Sequence, residues 1–116
     1  MSGKDVRDVE TMRDVIATYA AAQTDTSLIA AVTGEAIYVY RIEYSHDTIG
    51  SMFLEYGTTK LTLTRSYLAG FNMDSSDLNI RVPSGNAVTI TTTGAGNSSI
   101  RIHYYTKPDV RGFHAS

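Results

Sequence analysis

The chain has 116 residues, a length typical of one domain built around one hydrophobic core. Hydrophobic residues make up 42% of it and charged residues 19%, and this low charged fraction indicates that another molecule covers part of the surface. The net charge of -2 lacks the basic surplus typical of nucleic-acid binding, and the absence of cysteine excludes disulfides, thiolate metal sites and cysteine nucleophiles.

Residues 1 to 13 differ in composition from the remainder of the chain. Seven of the first 14 residues are charged, and the apolar Val6, Val9 and Met12 recur every third position. This spacing is compatible with a short amphipathic helix, which would be marginal in isolation. We therefore expect either an arm that becomes ordered only against a partner or a disordered terminus.

Short segments rich in threonine, valine, isoleucine and tyrosine follow, separated by glycine- and asparagine-containing turns. The predicted strands are VIATYAA, TSLIAAV, AIYVYRIEYSH, SMFLEYG, KLTLTRSYLAGF, LNIRVP, NAVTITTT and SIRIHYYT, and the predicted turns include HDTIG, YGTT, NMDSSD, PSGN and GAGNSS. Helix remains an alternative at residues 20–22. The pattern predicts an all-β, single-domain antiparallel β-sandwich over residues 14–106, jelly-roll-like and with about eight strands. We expect residues 107–116 to form a C-terminal tail, with Val110 and Phe113 as candidate anchors.

The longest predicted strand changes the phase of its alternation. Ile37 and Val39 alternate as core residues, whereas Ile42 and Tyr44 require the opposite phase. A β-bulge between the two halves, or a shift of burial along the strand, would turn all four side chains inward. Tyr38 and Tyr40 would then lie on the outer face, where a neighbouring chain could cover them.

Tyrosine is the most informative residue type in this sequence. The chain has eight tyrosines and no tryptophan. A tyrosine ring suits a position that is dry at one end and wet at the other, which occurs at the rim of a sandwich and at protein interfaces. Tyr38, Tyr40 and Tyr105 are therefore candidate interface residues, with core or rim packing as the alternative.

The sequence offers no recognisable catalytic or metal-binding motif. His46, His103 and His114 lack metal-ligand spacing, and no GxSxG nucleophile elbow is present. GAGNSS lacks the lysine of a phosphate loop and lies between predicted strands. We expect a protein that is not an enzyme and has no cofactor, catalytic residue or metal site.

Two long stretches carry a resemblance to a known type of protein. They are TDTSLIAAVTGEAIYVYRIEYSHD and AGFNMDSSDLNIRVPSGNAVTITTTGAGNSSIRIHYY. Their order of strands and turns resembles that of the small β-sandwich structural proteins of tailed bacteriophages, notably capsid decoration (cement) proteins. The resemblance extends over residues 14–106 and carries no catalytic motif.

The resemblance implies a non-enzymatic virion protein on the capsid surface. Such a protein would bind the major capsid protein of a tailed phage as a homo-oligomer, a trimer or dimer, and stabilise the assembled shell by binding it preferentially. The alternatives are a tail, neck or fibre component and a carbohydrate- or receptor-binding module. No signal-peptide-like or membrane-spanning apolar stretch is visible, so we expect synthesis in the host cytoplasm and neither nucleic acid nor membrane as a partner.

Overall fold

The fold consists of β-strands joined by turns and loops. A computed structural model describes residues 12–62 and 64–109 of the chain and shows ten strands there. In chain order the strands are β1 (Arg13–Tyr19), β2 (Gln23–Ile29), β3 (Glu35–His46), β4 (Gly50–Tyr56), β5 (Thr59–Lys60), β6 (Arg65–Tyr67), β7 (Phe71–Ser75), β8 (Ile80–Val82), β9 (Val88–Thr92) and β10 (Ser98–Pro108).

The strands form two antiparallel sheets that pack face to face. Sheet A has the order β1-β10-β3-β7, and β8 also pairs with β3. Sheet B has the order β2-β9-β4-β5, and β6 also pairs with β4. This architecture confirms the predicted all-β antiparallel sandwich. It has ten strands instead of about eight, because one predicted strand is divided into β5 and β6 and part of one predicted turn forms β7.

The core lies between the sheets and is built from alternate residues of the longer strands. Because side chains in a strand alternate between its two faces, every second residue of β9 and β10 points inward. Val88, Ile90 and Ile102 are 0% exposed and Ile100 is 1% exposed. This burial follows the alternation of apolar and polar residues in the predicted strands NAVTITTT and SIRIHYYT.

A β-bulge in β3 turns both halves of this strand toward the core. Ile42 lies opposite Ile102 and Arg41 opposite His103, but Val39 lies opposite Tyr104, so Tyr40 is an extra residue without a partner on β10. All four residues predicted to be inward are at most 2% exposed: Ile37, Val39, Ile42 and Tyr44. The predicted bulge and the outward position of the intervening tyrosines are therefore confirmed.

The prediction of one long strand over residues 60–71 is wrong. The chain instead forms the short strands β5 and β6, with residues 61–64 between them. The Thr62 hydroxyl accepts a hydrogen bond from the Leu54 N–H, and the Leu61 N–H donates to the Leu54 carbonyl. A side-chain hydroxyl thus replaces a backbone partner of β4, which interrupts the ladder.

The predicted turn NMDSSD was also assigned incorrectly over its first residues. Asn72, Met73 and Asp74 belong to β7, which pairs with β3. The turn lies earlier, at Gly70, whose φ of +75° suits glycine. Pairing with a long neighbouring strand thus outweighs the turn preference of asparagine and aspartate.

The described chain begins and ends at the same end of sheet A. Arg13 of β1 pairs with Tyr104, and β10 continues to Pro108. Val6 and Val9 of the predicted arm and Val110 and Phe113 of the predicted tail lie outside the described residues. Residues 20–22 connect β1 to β2 without a helix. Within the described ranges no helix is long and apolar enough to span a membrane.

Candidate docking face

The outer face of sheet A contains three zones arranged along its strands. At one end the outward side chains are tyrosines, and at the other end they are hydroxyls and an amide. In the middle they are charged, except for the exposed Ile16 of β1. We call these zones the tyrosine patch (Tyr38, Tyr40, Tyr105), the ion-pair belt (Asp14, Arg41, Glu43, Asp74, Arg101, His103) and the polar groove (Thr18, Ser45, Asn72, Ser99).

The tyrosine patch holds its three rings against one another. Tyr38 and Tyr105 are directly opposite in the ladder, and their rings stack with centroids 5.1 Å apart and an interplanar angle of 6°. Tyr40, the extra residue of the bulge, places its ring 6.1 Å from that of Tyr105 and 6.0 Å from that of His103. All three tyrosines are half-buried, so the patch presents packed ring surface to solvent.

An ion pair supports the border of the tyrosine patch. The Arg81 guanidinium contacts the Asp109 carboxylate at 2.8 Å, and Arg81 lies directly opposite Tyr38 in the pairing of β8 with β3. The second Asp109 oxygen accepts a hydrogen bond from the Ser84 N–H at 3.2 Å. The side chains of Arg81 and Asp109 are 24% and 14% exposed, so this contact is better shielded than an ordinary surface ion pair. It fixes the end of β10 beside the patch.

The ion-pair belt consists of three diagonal contacts across four strands. Arg101 of β10 contacts Asp14 of β1 at 2.6 Å, and His103 of β10 contacts Glu43 of β3 at 2.7 Å. A third contact joins Arg41 and Asp74. Each acidic side chain therefore meets a basic or titratable partner, and the belt carries little net field.

The third contact of the belt links β3 to the edge strand β7. Two Arg41 nitrogens donate to the two Asp74 oxygens, at 3.0 Å and 2.7 Å. This hydrogen bonding lowers the pKa of the Asp74 carboxyl and raises that of the Arg41 guanidinium. The bidentate geometry fixes the orientation of both side chains on the surface.

The polar groove results from short side chains in one cross-strand row. Thr18 lies opposite Ser99, Ser99 opposite Ser45, and Ser45 opposite Asn72. These four residues help line a depression of about 570 Å³ at the end of the sheet. The loops beyond the row add Asp47 and Asn97, whose side chains are hydrogen-bonded to each other at 3.2 Å.

The sequence analysis predicted only some of the residues on this face. It selected Tyr38, Tyr40 and Tyr105, which the fold brings together, and Met12, which is 49% exposed and directly precedes β1. It did not predict Glu43 as the neighbour of His103. The signal for this contact was available only in the register of β3 against β10, which joins residues 60 positions apart.

The outer face of sheet B differs from that of sheet A in its aromatic and charged side chains. Phe53 is its half-buried aromatic residue, and the Lys60 ammonium lies 4.5 Å from the ring centroid. A hydrogen bond between the protonated Glu55 carboxyl and Asp25, together with partial desolvation, raises the pKa of Glu55. No cluster of aromatic rings comparable to the tyrosine patch occurs among the described residues of this face.

Comparison with known proteins relates this chain to others through its fold. No family model matches the sequence, and no curated protein matches it. The fold is similar to that in a structure titled as the nucleoplasmin-like N-terminal domain of Drosophila FKBP39, with a TM-score of 0.52 and 10% sequence identity. The match covers 85% of this chain and 93% of that chain. At this identity the likeness establishes a shared β-sandwich fold.

Proposed function

We propose that this chain is a non-enzymatic virion structural protein, a capsid decoration protein that docks on the assembled major capsid shell through the outer face of sheet A. The observation that carries the proposal is the tyrosine patch: three packed, half-buried rings on one sheet face. The resemblance of the sequence to phage decoration proteins supplies the partner.

The physical properties of the patch suit a docking surface. Tyrosine rings provide a large contact area and lose little conformational entropy on binding, because they have only two side-chain torsions. The stacking of Tyr38 on Tyr105 removes part of that freedom before any partner arrives. The neighbouring belt is internally paired, so docking does not leave an isolated charge buried beside the rings.

Binding of this kind would stabilise a shell by linkage. A protein that binds the assembled lattice and not the free subunits lowers the free energy of the lattice by an amount set by its concentration and affinity. No chemical step is required, so the proposal calls for no catalytic residue or cofactor. It calls for many copies on each particle.

Quantitative mass spectrometry of purified particles tests the location. We expect a ratio to the major capsid protein near one, or a simple fraction of it. A handful of copies per particle would instead assign the chain to the neck, tail or fibres. Complete absence from particles would overturn the virion proposal.

Co-sedimentation with shells that lack this protein tests the docking surface. The variant Tyr38→Ser/Tyr40→Ser should lose most of its binding while keeping its far-UV circular dichroism spectrum. Phe53→Ser is the matched control, because it removes a half-buried aromatic ring from the opposite sheet. Equal binding by the double variant and the native protein would show that the patch is not the docking surface.

A second candidate function rests on the polar groove. A row of hydroxyl and amide groups next to an Asp47–Asn97 pair provides donors and acceptors suited to the hydroxyls of a saccharide. This observation favours the alternative of a carbohydrate-binding fibre or tail module. Glycan-array binding by native protein that is lost in Asn72→Ala and retained in Tyr38→Ser/Tyr40→Ser would support this alternative over shell docking.

A further inference from the structure

Among the residues that the structure describes, the outer edge of β1 is open for pairing. β1 is the terminal strand of sheet A and pairs on one side with β10, in a continuous register of seven residue pairs. No other strand in the described part of the chain pairs with its far edge. Alternate backbone N–H and C=O groups of such an edge point outward and can accept another strand.

The remaining sheet edges carry features that discourage such pairing. The other edge of sheet A is divided between β7 and β8, with residues 76–79 between them. In sheet B, β2 has two register irregularities, and Asp25 within it has a φ of +48°. The opposite edge of that sheet is formed by β5 and β6, which are only two and three residues long. Short, broken or bulged edges are common protections against edge-to-edge association, and β1 has none of them.

The middle residue of β1 is an exposed isoleucine. Ile16 is 60% exposed and lies on the outer face of sheet A, between Asp14 and Thr18. A large apolar side chain at the centre of a regular edge strand is the composition expected of a strand that pairs with another chain.

The sequence of β1 is compatible with antiparallel pairing to itself. A two-fold axis through Ile16 places Ile16 opposite its symmetry mate and Asp14 opposite Thr18. It also places Arg13 opposite Tyr19 and Val15 opposite Ala17. No like charges face each other, and the central pair is apolar, which stabilises cross-strand contacts.

We propose that β1 pairs antiparallel with β1 of a second copy of this chain, centred on Ile16, so that the two A sheets join into one continuous sheet. This isologous pairing buries the exposed isoleucine and satisfies the open backbone groups. The two-fold axis is perpendicular to the joined sheet, so both tyrosine patches lie on the same surface. Such a dimer would bind a repeating lattice bivalently.

The isolated full-length protein provides the first test, independent of any capsid. Sedimentation equilibrium should show a reversible dimer, and Ile16→Lys should weaken dimerisation by about tenfold or more because it places two like charges directly opposite. Leu68→Lys is the matched control, since Leu68 is 73% exposed in the loop between β6 and β7 and is not part of β1. A native protein that remains monomeric at high micromolar concentration would overturn the proposal, as would a dimer that is equally stable in Ile16→Lys.

Single-cysteine variants provide a second test, because the native chain has no cysteine. Opposed residues of an antiparallel pair have Cα atoms about 4.5 to 5.5 Å apart, within the range of a disulfide. Ile16→Cys should therefore form a disulfide-linked dimer rapidly on mild oxidation, whereas Leu68→Cys should not. Thr18→Cys should crosslink slowly alone and rapidly when mixed with Asp14→Cys. Equal crosslinking of Ile16→Cys and Leu68→Cys would overturn the proposed register.

Failure of the pairing proposal and failure of the docking proposal would give different experimental results. The dimer goes beyond the docking proposal and is measured without a shell. A dimeric protein that does not sediment with shells would refute docking alone. A monomer that binds shells would refute the pairing alone.

Discussion

Deletion of Tyr40 tests whether the bulge in β3 is what reconciles the two phases of this strand. Tyr40 and Arg41 both lie on the outer face, and only Arg41 has a partner on β10. Removing Tyr40 therefore leaves Val39 inward, Arg41 outward and Ile42 inward, with the register against β10 unchanged. We expect the variant to fold with the native core.

The expected loss of stability on deleting Tyr40 is small. The Tyr40 carbonyl accepts a hydrogen bond from the Leu78 N–H at 3.0 Å, and losing this bond costs about 1 kcal/mol. The ring contacts with His103 and Tyr105 contribute about 1 kcal/mol more. The deletion should thus lower the free energy of unfolding by about 2 kcal/mol.

Deletion of Glu43 is the matched control, two residues beyond the bulge. It turns Tyr44 and His46, which are 2% and 3% exposed, toward solvent. The strand can keep them inward only by removing the bulge, which buries Arg41 and exposes Ile42. Exposure of two large side chains costs about 5 kcal/mol, comparable with the whole stability of a small domain.

Urea denaturation followed by far-UV circular dichroism measures both effects, since the chain has no tryptophan. The bulge interpretation requires the Tyr40 deletion to be clearly more stable than the Glu43 deletion. Equal losses in the two variants would refute it. The Tyr40 deletion also removes one ring of the tyrosine patch, so its shell binding should fall while its fold persists.

Three further changes have definite expected outcomes. Gly94→Ala places a Cβ 2.7 Å from Cε1 of the buried His46. This overpacking should lower the free energy of unfolding by about 1 to 3 kcal/mol. An unchanged thermal midpoint would contradict the close packing. The Leu54 side chain is 0% exposed. Leu54→Ala should therefore lower the free energy of unfolding, measured by urea denaturation, by about 3 kcal/mol. A decrease no larger than that of a surface substitution would place Leu54 outside the core. The raised pKa of Glu55 means that the folded protein holds the carboxyl proton of Glu55 more tightly than the unfolded chain does. The contribution of this group to the stability of the fold is therefore present at acidic pH and is lost as pH rises through the folded pKa. Asp25→Asn should therefore raise the thermal midpoint at neutral pH relative to acidic pH, and an identical pH dependence in variant and native protein would contradict the shared hydrogen bond.

Local alternation was sufficient to predict the fold class and much of the core. The period of two in residues 88–90 and 100–104 identifies their inward side chains, because each strand buries one face. The phase change between Val39 and Ile42 predicted the bulge for the same reason. It also placed Tyr38 and Tyr40 outward, which is the part of the candidate site that sequence reasoning could reach.

Only the tertiary structure decided which residues meet across strands. The Asp14–Arg101 contact joins residues 87 positions apart, and the stacking of Tyr38 on Tyr105 depends equally on the register of β3 against β10. Pairing with β3 made a strand of residues whose local preference is for a turn, and it set the interrupted edge at β7 and β8. The open edge of β1 is likewise a consequence of the order of strands in the sheet. Strand order and register depend on contacts between distant segments, and the local period of a sequence carries no information about them.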